Sequence, residues 1–219
     1  ALDSAAKDIM LGRADLVLAG GTEVMSRAPL LYRPSAVSWF SDLFRSRTPI
    51  DKLKTVLKCR PHYFSPIIAL KHGLTDFLYN INMGQTAELL SYDFTITREQ
   101  MDAFAFQSQS RALAAQEAGL LDEVHPVFYG KGQYVDRDTG VRADTTVEKL
   151  AKLKPNFDKP FGRVTAGNSS QVSDGAAVLL LASEAAVVKH KLPVLGKLVD
   201  TQWSGCDPKV MGLGPAYAV

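Results

Sequence analysis

A cluster of small residues that runs directly into an unbroken apolar stretch, between Arg163 and Glu184, sets the tightest limit on how this chain can fold. Thr165, Ala166, Gly167, Asn168, Ser169 and Ser170 come first, and Ala176 to Ala182 are all apolar. Small side chains let another group approach the backbone, whereas the apolar stretch has to enter a core. Periodicity alone reads that stretch as either a buried strand or a helix segment. Ser183 followed by Glu184, Ala185 and Ala186 has the form of an N-cap with an acidic first turn. The cap favours a strand over 176–182 and a helix over 184–190, with Ser173-Asp174-Gly175 as the turn before the strand. The residues leave open whether the Gly/Ser loop lets a ligand come close or is a tight solvent-facing turn.

The rest of the chain supplies elements around this one. Leu2, Ala5, Ala6, Ile9 and Met10 follow a helical spacing that Gly12 can stop. Leu16 to Ala19 then reads as a short buried strand, with Gly20-Gly21 turning the chain at its end. A dinucleotide-binding turn is the other reading of that glycine pair, but the fingerprint spacing and the following helix are missing. From Arg27 to Lys71, five prolines interrupt any pattern while Trp39, Phe40, Phe44, Tyr63 and Phe64 recur, which predicts an ordered loop with short helices. Thr97-Arg98-Glu99-Gln100 is a capping box opening a helix whose apolar stripe (Met101, Phe104, Ala105, Ala112, Ala115) is expected to face the core. Glycines 130, 132 and 140 predict a hairpin or turn-rich excursion, and Thr146 caps a helix through Leu150. Leu192 to Val199 reads as a further strand.

Composition narrows the function classes. The 219 residues are 46% hydrophobic and 22% charged, with a formal net charge of +2, so no electrostatic case for nucleic acid exists. The single basic concentration, Arg45, Arg47, Lys52, Lys54, Lys58 and Arg60, reads as a solvated face without a role. No apolar run reaches the ~18 residues of a membrane span. Cys59 and Cys206 lie far apart and have no metal-ligand spacing, and the four histidines are scattered. No metal site is expected.

Ala166-Gly-Asn-Ser-Ser-Gln-Val-Ser-Asp-Gly-Ala-Ala177 resembles the signature of the thiolases, enzymes that join or cleave acyl groups on coenzyme A. Ala19-Gly-Gly-Thr-Glu-Val-Met-Ser26, Met83-Gly-Gln-Thr-Ala-Glu88, Leu150-Ala-Lys-Leu-Lys-Pro155 and Asp207-Pro-Lys-Val-Met-Gly-Leu-Gly-Pro-Ala-Tyr-Ala218 agree with it, in order, along essentially the whole chain. The resemblance implies an α/β class, a thiolase-like layered αβαβα fold that is incomplete here, with an inserted loop domain. Residues 1–25 and 171–193 are then parts of the N-terminal half, 26–170 the loop domain, and 194–219 the start of the C-terminal half.

The resemblance also implies a reaction. A cysteine thiolate attacks a 3-oxoacyl-CoA, a histidine relays a proton, and a second cysteine acts as acid/base. The family places that nucleophile ahead of Ala1, and its remaining catalytic motifs beyond Val219. The chain by itself is therefore expected to hold no catalytic residue and to be inactive. What it is expected to contribute is a ligand frame. Ser170 hydrogen-bonds the pantetheine, and Ala166 and Ser169 leave room for its tail. Arg142 lies at the nucleotide end, Leu153 and Phe157 line the cleft, and Met83 stands at the acyl end. Asn82, where many acetoacetyl-type relatives have histidine, leans the expectation toward the degradative 3-ketoacyl-CoA type. The implied ligands are acyl-CoA and coenzyme A, as substrate and product, with no tightly bound cofactor. A homodimer or homotetramer in fatty acid metabolism is implied, in bacterial cytoplasm or an organelle matrix. The alternative is a non-catalytic CoA-binding or oligomerisation piece.

Overall fold

A computed structural model describes all residues from 1 to 219. In chain order the elements are α1 (Leu2–Met10), β1 (Leu16–Val24), β2 (Leu30–Leu31), α2 (Pro34–Arg45), α3 (Pro49–Leu57), β3 (Ile67–Ile68), α4 (Ala69–Gly73), α5 (Met83–Asp93), α6 (Arg98–Glu117), β4 (Val127–Phe128), β5 (Tyr134–Val135), α7 (Val147–Ala151), β6 (Asp174–Ala182), α8 (Glu184–His190) and α9 (Gly214–Ala218). Short 3-10 turns lie at Pro61–Phe64 and Pro208–Leu213.

The first and last parts of the chain meet in one antiparallel ribbon. β1 pairs with β6 from Leu16 opposite Ala182 to Val24 opposite Asp174. The apolar run is therefore a strand, and Ser183 caps α8, accepting a hydrogen bond from the Ala186 amide at 3.1 Å. Two boundaries differ from the sequence reading. Gly20-Gly21 does not turn the chain but lies inside β1, because a Cβ on Gly20 would stand 2.5 Å from the Ala177 carbonyl oxygen of the facing strand. Asp174 and Gly175 likewise belong to β6 rather than to a turn. The Asp174 carboxylate closes the ribbon, accepting from the Met25 and Ser26 amides at 2.9 Å and from the Ser26 hydroxyl at 2.5 Å.

Side chains alternate across this ribbon. One face carries Ala19, which is buried, and α1, whose Ala5 is buried too, packs on β1. The other face carries Leu16, Leu18, Val178 and Leu180, all exposed, with Leu18 at 72% and Val178 at 65%. An antiparallel sheet keeps one face apolar only to pack it against something. The whole chain shows the same excess: it exposes 17149 Å², where a compact monomer of this mass exposes about 9,900 Å². Residues 192–199 form no ladder, contrary to the strand expected there, because no other strand of this chain lies beside them.

Between β1 and β6 the chain leaves the ribbon for short helices and two-stranded hairpins. β2 pairs with β3 and β4 with β5, the latter being the hairpin expected from the glycines. The α6 capping box forms, with Thr97 accepting from the Gln100 amide and the Gln100 side chain accepting from the Thr97 amide. Its apolar stripe does not become core, since Phe104 is 73% exposed. The buried side chain of that helix is Asp102, because α6 meets the 150–168 segment through polar groups.

Candidate functional site

The 163–170 segment is bent into its shape by two buried carboxylates rather than by apolar packing. Glu88, on α5 and only 4% exposed, accepts from the Arg163 amide at 2.8 and 3.0 Å and from the Val164 amide at 2.9 Å. Asp102, on α6 and 2% exposed, pairs with Arg98 at 2.7 Å and accepts from the Asn168 side-chain amide at 3.0 Å. Asn168 then folds the turn on itself. Its carbonyl oxygen accepts from the Thr165 amide at 2.8 Å, and its NH2 also donates to the Arg163 carbonyl at 3.0 Å. The Ser169 hydroxyl donates to the Thr165 carbonyl at 2.7 Å, and the Gly167 amide donates to the Thr165 hydroxyl at 3.2 Å.

Arg163 locks the start of the segment. Its guanidinium donates to the Ser91 and Ile96 carbonyls at 2.5 and 2.8 Å and stacks 4.3 Å from the Tyr92 ring centroid. Burial pushes the Tyr92 phenol above its ordinary pKa, aided by its hydrogen bond to Asp158. Arg98 performs the matching task for the 150–153 strap, donating to the Leu150 and Leu153 carbonyls at 2.7 and 3.1 Å. The Ser91 and Leu150 carbonyls also accept from the Ile96 and Leu153 amides, so each guanidinium ties a carbonyl already held in a turn to a second one beyond it, which its fixed fork of donors suits better than an ammonium.

Val164 and Thr165 are buried, and the backbone then surfaces, so that Ala166 and Ser170 are exposed and Gly167, Asn168 and Ser169 half-buried. The small side chains have a local cause as well. A Cβ on Gly167 would stand 2.5 Å from Leu150 Cδ2 and 2.6 Å from Leu153 Cδ1. Leu153 thus lies against the segment, each keeping the other in place. Phe157 sits on a second glycine, where a Cβ on Gly84 would fall 2.2 Å from its ring.

These contacts bring Leu153 against Gly167, which lies between Ala166 and Ser169 in the chain, and place Phe157 beside the first turn of α5, which begins at Met83. Met83 also lines a cavity of about 280 Å³ with Leu74, Ile81, Thr86, Cys206 and Met211. Arg142 stands further off. Its amide donates to the Gln109 side chain at 2.9 Å, and its exposed guanidinium makes no ion pair or hydrogen bond within the chain. A Cβ on Gly140 would collide with the Gln171 side chain, so the 140–142 loop borders the segment beyond Ser170. The Ser170 hydroxyl is exposed, its one internal partner being the Gln171 carbonyl at 3.3 Å.

Sequence reasoning missed the two carboxylates. Glu88 stands in the sequence as one letter of a motif, and Asp102 adjoins the apolar stripe that masks it. The available signal was the face of α5 formed by Gly84, Ala87, Glu88 and Ser91, small residues around an acid, while Leu89 and Tyr92 fall on the outside. Asn82, read only as a departure from histidine, is the N-cap of α5 in a capping box with Gln85. The four histidines are all exposed.

Comparison with known proteins gives a consistent result. The family model described as thiolase, N-terminal domain, matches residues 1–185. A probable acetyl-CoA acetyltransferase of Escherichia coli is 38% identical over all of this chain and 51% of its own length. A mitochondrial 3-ketoacyl-CoA thiolase of Rattus norvegicus is 40% identical over 99% of this chain and 50% of its own. The crystal structure of human mitochondrial 3-ketoacyl-CoA thiolase in complex with CoA superposes with a TM-score of 0.81 at 38% identity, covering 99% of this chain and 50% of that one. The chain spans about half the length of the curated relatives it matches.

Proposed function

The chain belongs to the thiolase family, with the α/β fold of that family in incomplete form, and from that membership we propose that the whole protein is a thiolase-type acyltransferase. It cleaves or forms 3-ketoacyl-CoA, with acyl-CoA and coenzyme A as substrate and product and no tightly bound cofactor. The observation that carries this reading is the 163–170 segment, a surface of small residues and hydroxyls pinned from behind by Glu88 and Asp102. Such a wall is rigid before a ligand arrives, which spares binding the ordering of a loop.

Along that wall, Ser170 donates to the pantetheine amides, while Ala166 and Ser169 keep the channel open. One hydroxyl-to-amide hydrogen bond contributes only about 0.5–1.5 kcal/mol, so the absence of bulk matters as much as the polar contact. Leu153 and Phe157 form the apolar flank. Met83 lies toward the acyl group, its unbranched thioether adapting to different chains. Arg142, with an unpaired guanidinium, meets the nucleotide, combining stacking on adenine with donation to phosphate oxygens.

The bare face of the β1–β6 ribbon is where further strands or helices of the whole protein pack, residues 1–25 and 171–193 forming one half, 26–170 the loop domain and 194–219 the start of the second half. The assembly is a homodimer or homotetramer, placed in bacterial cytoplasm or an organelle matrix as its relatives' names suggest. Thiolysis by the complete protein of acetoacetyl-CoA and of longer 3-ketoacyl-CoAs tests the reading. Turnover of the longer substrates supports the degradative lean, activity confined to acetoacetyl-CoA removes it, and no turnover of either removes the proposal.

A second reading has its own observation. Cys59 and Cys206 are both half-buried, and neither thiol is hydrogen-bonded to a histidine that could activate it. This chain alone is then a CoA-binding or oligomerisation unit, without turnover.

A further inference from the structure

The basic concentration noted in the sequence is built on a helix that faces the wrong way for a protein interior. α3 packs on α2 through its polar side: the Trp39 indole donates to the Thr55 carbonyl at 2.7 Å, and Ser46 meets the Thr55 hydroxyl at 3.3 Å. The opposite side carries Ile50, Leu53 and Leu57 at i, i+3 and i+7, one stripe along the helix. These three are 67%, 61% and 77% exposed.

Cations surround that stripe in the chain, with Lys54 bordering it on the helix. Arg45, Arg47, Lys52, Lys54, Lys58 and Arg60 are all exposed, and none of them makes an ion pair. Residues 33–60 hold seven lysines and arginines against Asp42 and Asp51, so this short region outweighs the +2 of the chain and leaves the remainder net negative. Asp51 is moreover occupied by the N-cap, accepting from the Thr48 hydroxyl at 2.6 Å.

Among the bare apolar surfaces of this protein, the ribbon face and the α3 face therefore differ in kind. The ribbon face of Leu16, Leu18, Val178 and Leu180 has no cation among its residues, as suits a surface closed by more protein. The α3 face has an aliphatic ridge with unpaired lysines and arginines around it. Nucleic acid would use the cations but has no use for the ridge, and a protein partner would more often meet aromatic anchors with paired polar rims. A bilayer surface with anionic headgroups takes both: the ridge enters the acyl boundary while the cations remain among the headgroups.

We propose that α3 is a peripheral membrane-docking surface that seats Ile50, Leu53 and Leu57 in an anionic leaflet, held there by the neighbouring lysines and arginines. No crossing of the bilayer is involved, and no helix is long and apolar enough for one.

Vesicle co-sedimentation of the purified protein tests this, with phosphatidylcholine vesicles that contain phosphatidylglycerol against vesicles of phosphatidylcholine alone. Sedimentation with the anionic vesicles only, weakening as salt is raised, is the expected result. A triple variant R47E/K54E/K58E should lower partitioning by about a hundredfold or more, each cation near an anionic surface contributing about fivefold. Leu53→Ser with Leu57→Ser should also release the protein, while Leu195→Ser, at a residue 97% exposed and remote in sequence, should not. None of these side chains holds the fold, so circular dichroism should stay unchanged. Equal sedimentation with both vesicle types, or with neither, overturns the proposal. Loss on Leu195→Ser as large as on Leu53→Ser overturns it too, as indiscriminate stickiness. A fall in lipid-free mass on Leu53→Ser, without any vesicle binding, assigns the face to another protein instead.

Discussion

Replacing Glu88 by glutamine separates what the buried carboxylate does from the space it fills. Its two oxygens accept three N–H contacts of 2.8–3.0 Å from Arg163 and Val164, and the side chain is almost sealed from water. Glutamine keeps the volume and one acceptor oxygen, which can still serve one amide. Its NH2 then faces the other N–H, so one charge-assisted bond is lost and a buried donor has no acceptor. The cost is about 1.5–3 kcal/mol. Denaturant unfolding should show a lower midpoint with an unchanged slope, since the surface exposed on unfolding stays the same. Amide exchange at Arg163 and Val164 should quicken by about ten- to a hundredfold, at tenfold per ~1.4 kcal/mol. A Glu88→Gln protein within ~0.5 kcal/mol of the parent, with exchange at those amides unmoved, would refute the carboxylate clamp.

Gly167→Ala should cost about 1–3 kcal/mol through forced displacement of Leu150 and Leu153, read as a lower thermal midpoint; an unchanged midpoint would show that the leucines move freely. Asp174, whose carboxyl is held below the usual aspartate range by the Ser26 hydroxyl and amide and then by the Met25 amide, contributes stability that is complete above the ordinary aspartate pKa and lost as pH falls through its lower folded value. Asp174→Asn should therefore flatten the acid limb of a stability–pH curve, and an identical limb would remove that role. Ser170→Trp in the complete protein should raise KM for coenzyme A substrates about tenfold or more, the loss of at least ~1.4 kcal/mol of binding, with the thermal midpoint unmoved. Unaltered kinetics would take Ser170 out of the channel.

Local chemistry was the most legible part of the sequence. Ser183, Thr97 and Thr146 cap helices as read, because a cap depends on a few adjacent residues. The β6 strand was legible in its apolar run. Gly20 was misread because its constraint comes from Ala177, far away in the chain, and no local pattern records that approach. Phe104 was assigned to a core by helical spacing alone, whereas the neighbour of α6 is a polar segment that selects Asp102. In the candidate site, the small residues of 165–170 announced themselves, but the carboxylates that shape them sit 75 and 66 residues earlier. A buried acid is invisible until its distant N–H partners are known. The basic cluster was likewise read as charge only, since the outward ridge of α3 depends on which side of that helix α2 takes.

Hydrogen exchange of the complete protein with and without coenzyme A bears most directly on the reading of the 163–170 segment as a channel wall. Slowed exchange over residues 163–170 and in the loop around Arg142, with little change along α3, is the outcome this structure predicts. Coenzyme A that binds and protects other parts of the protein, while those amides exchange as before, would contradict it.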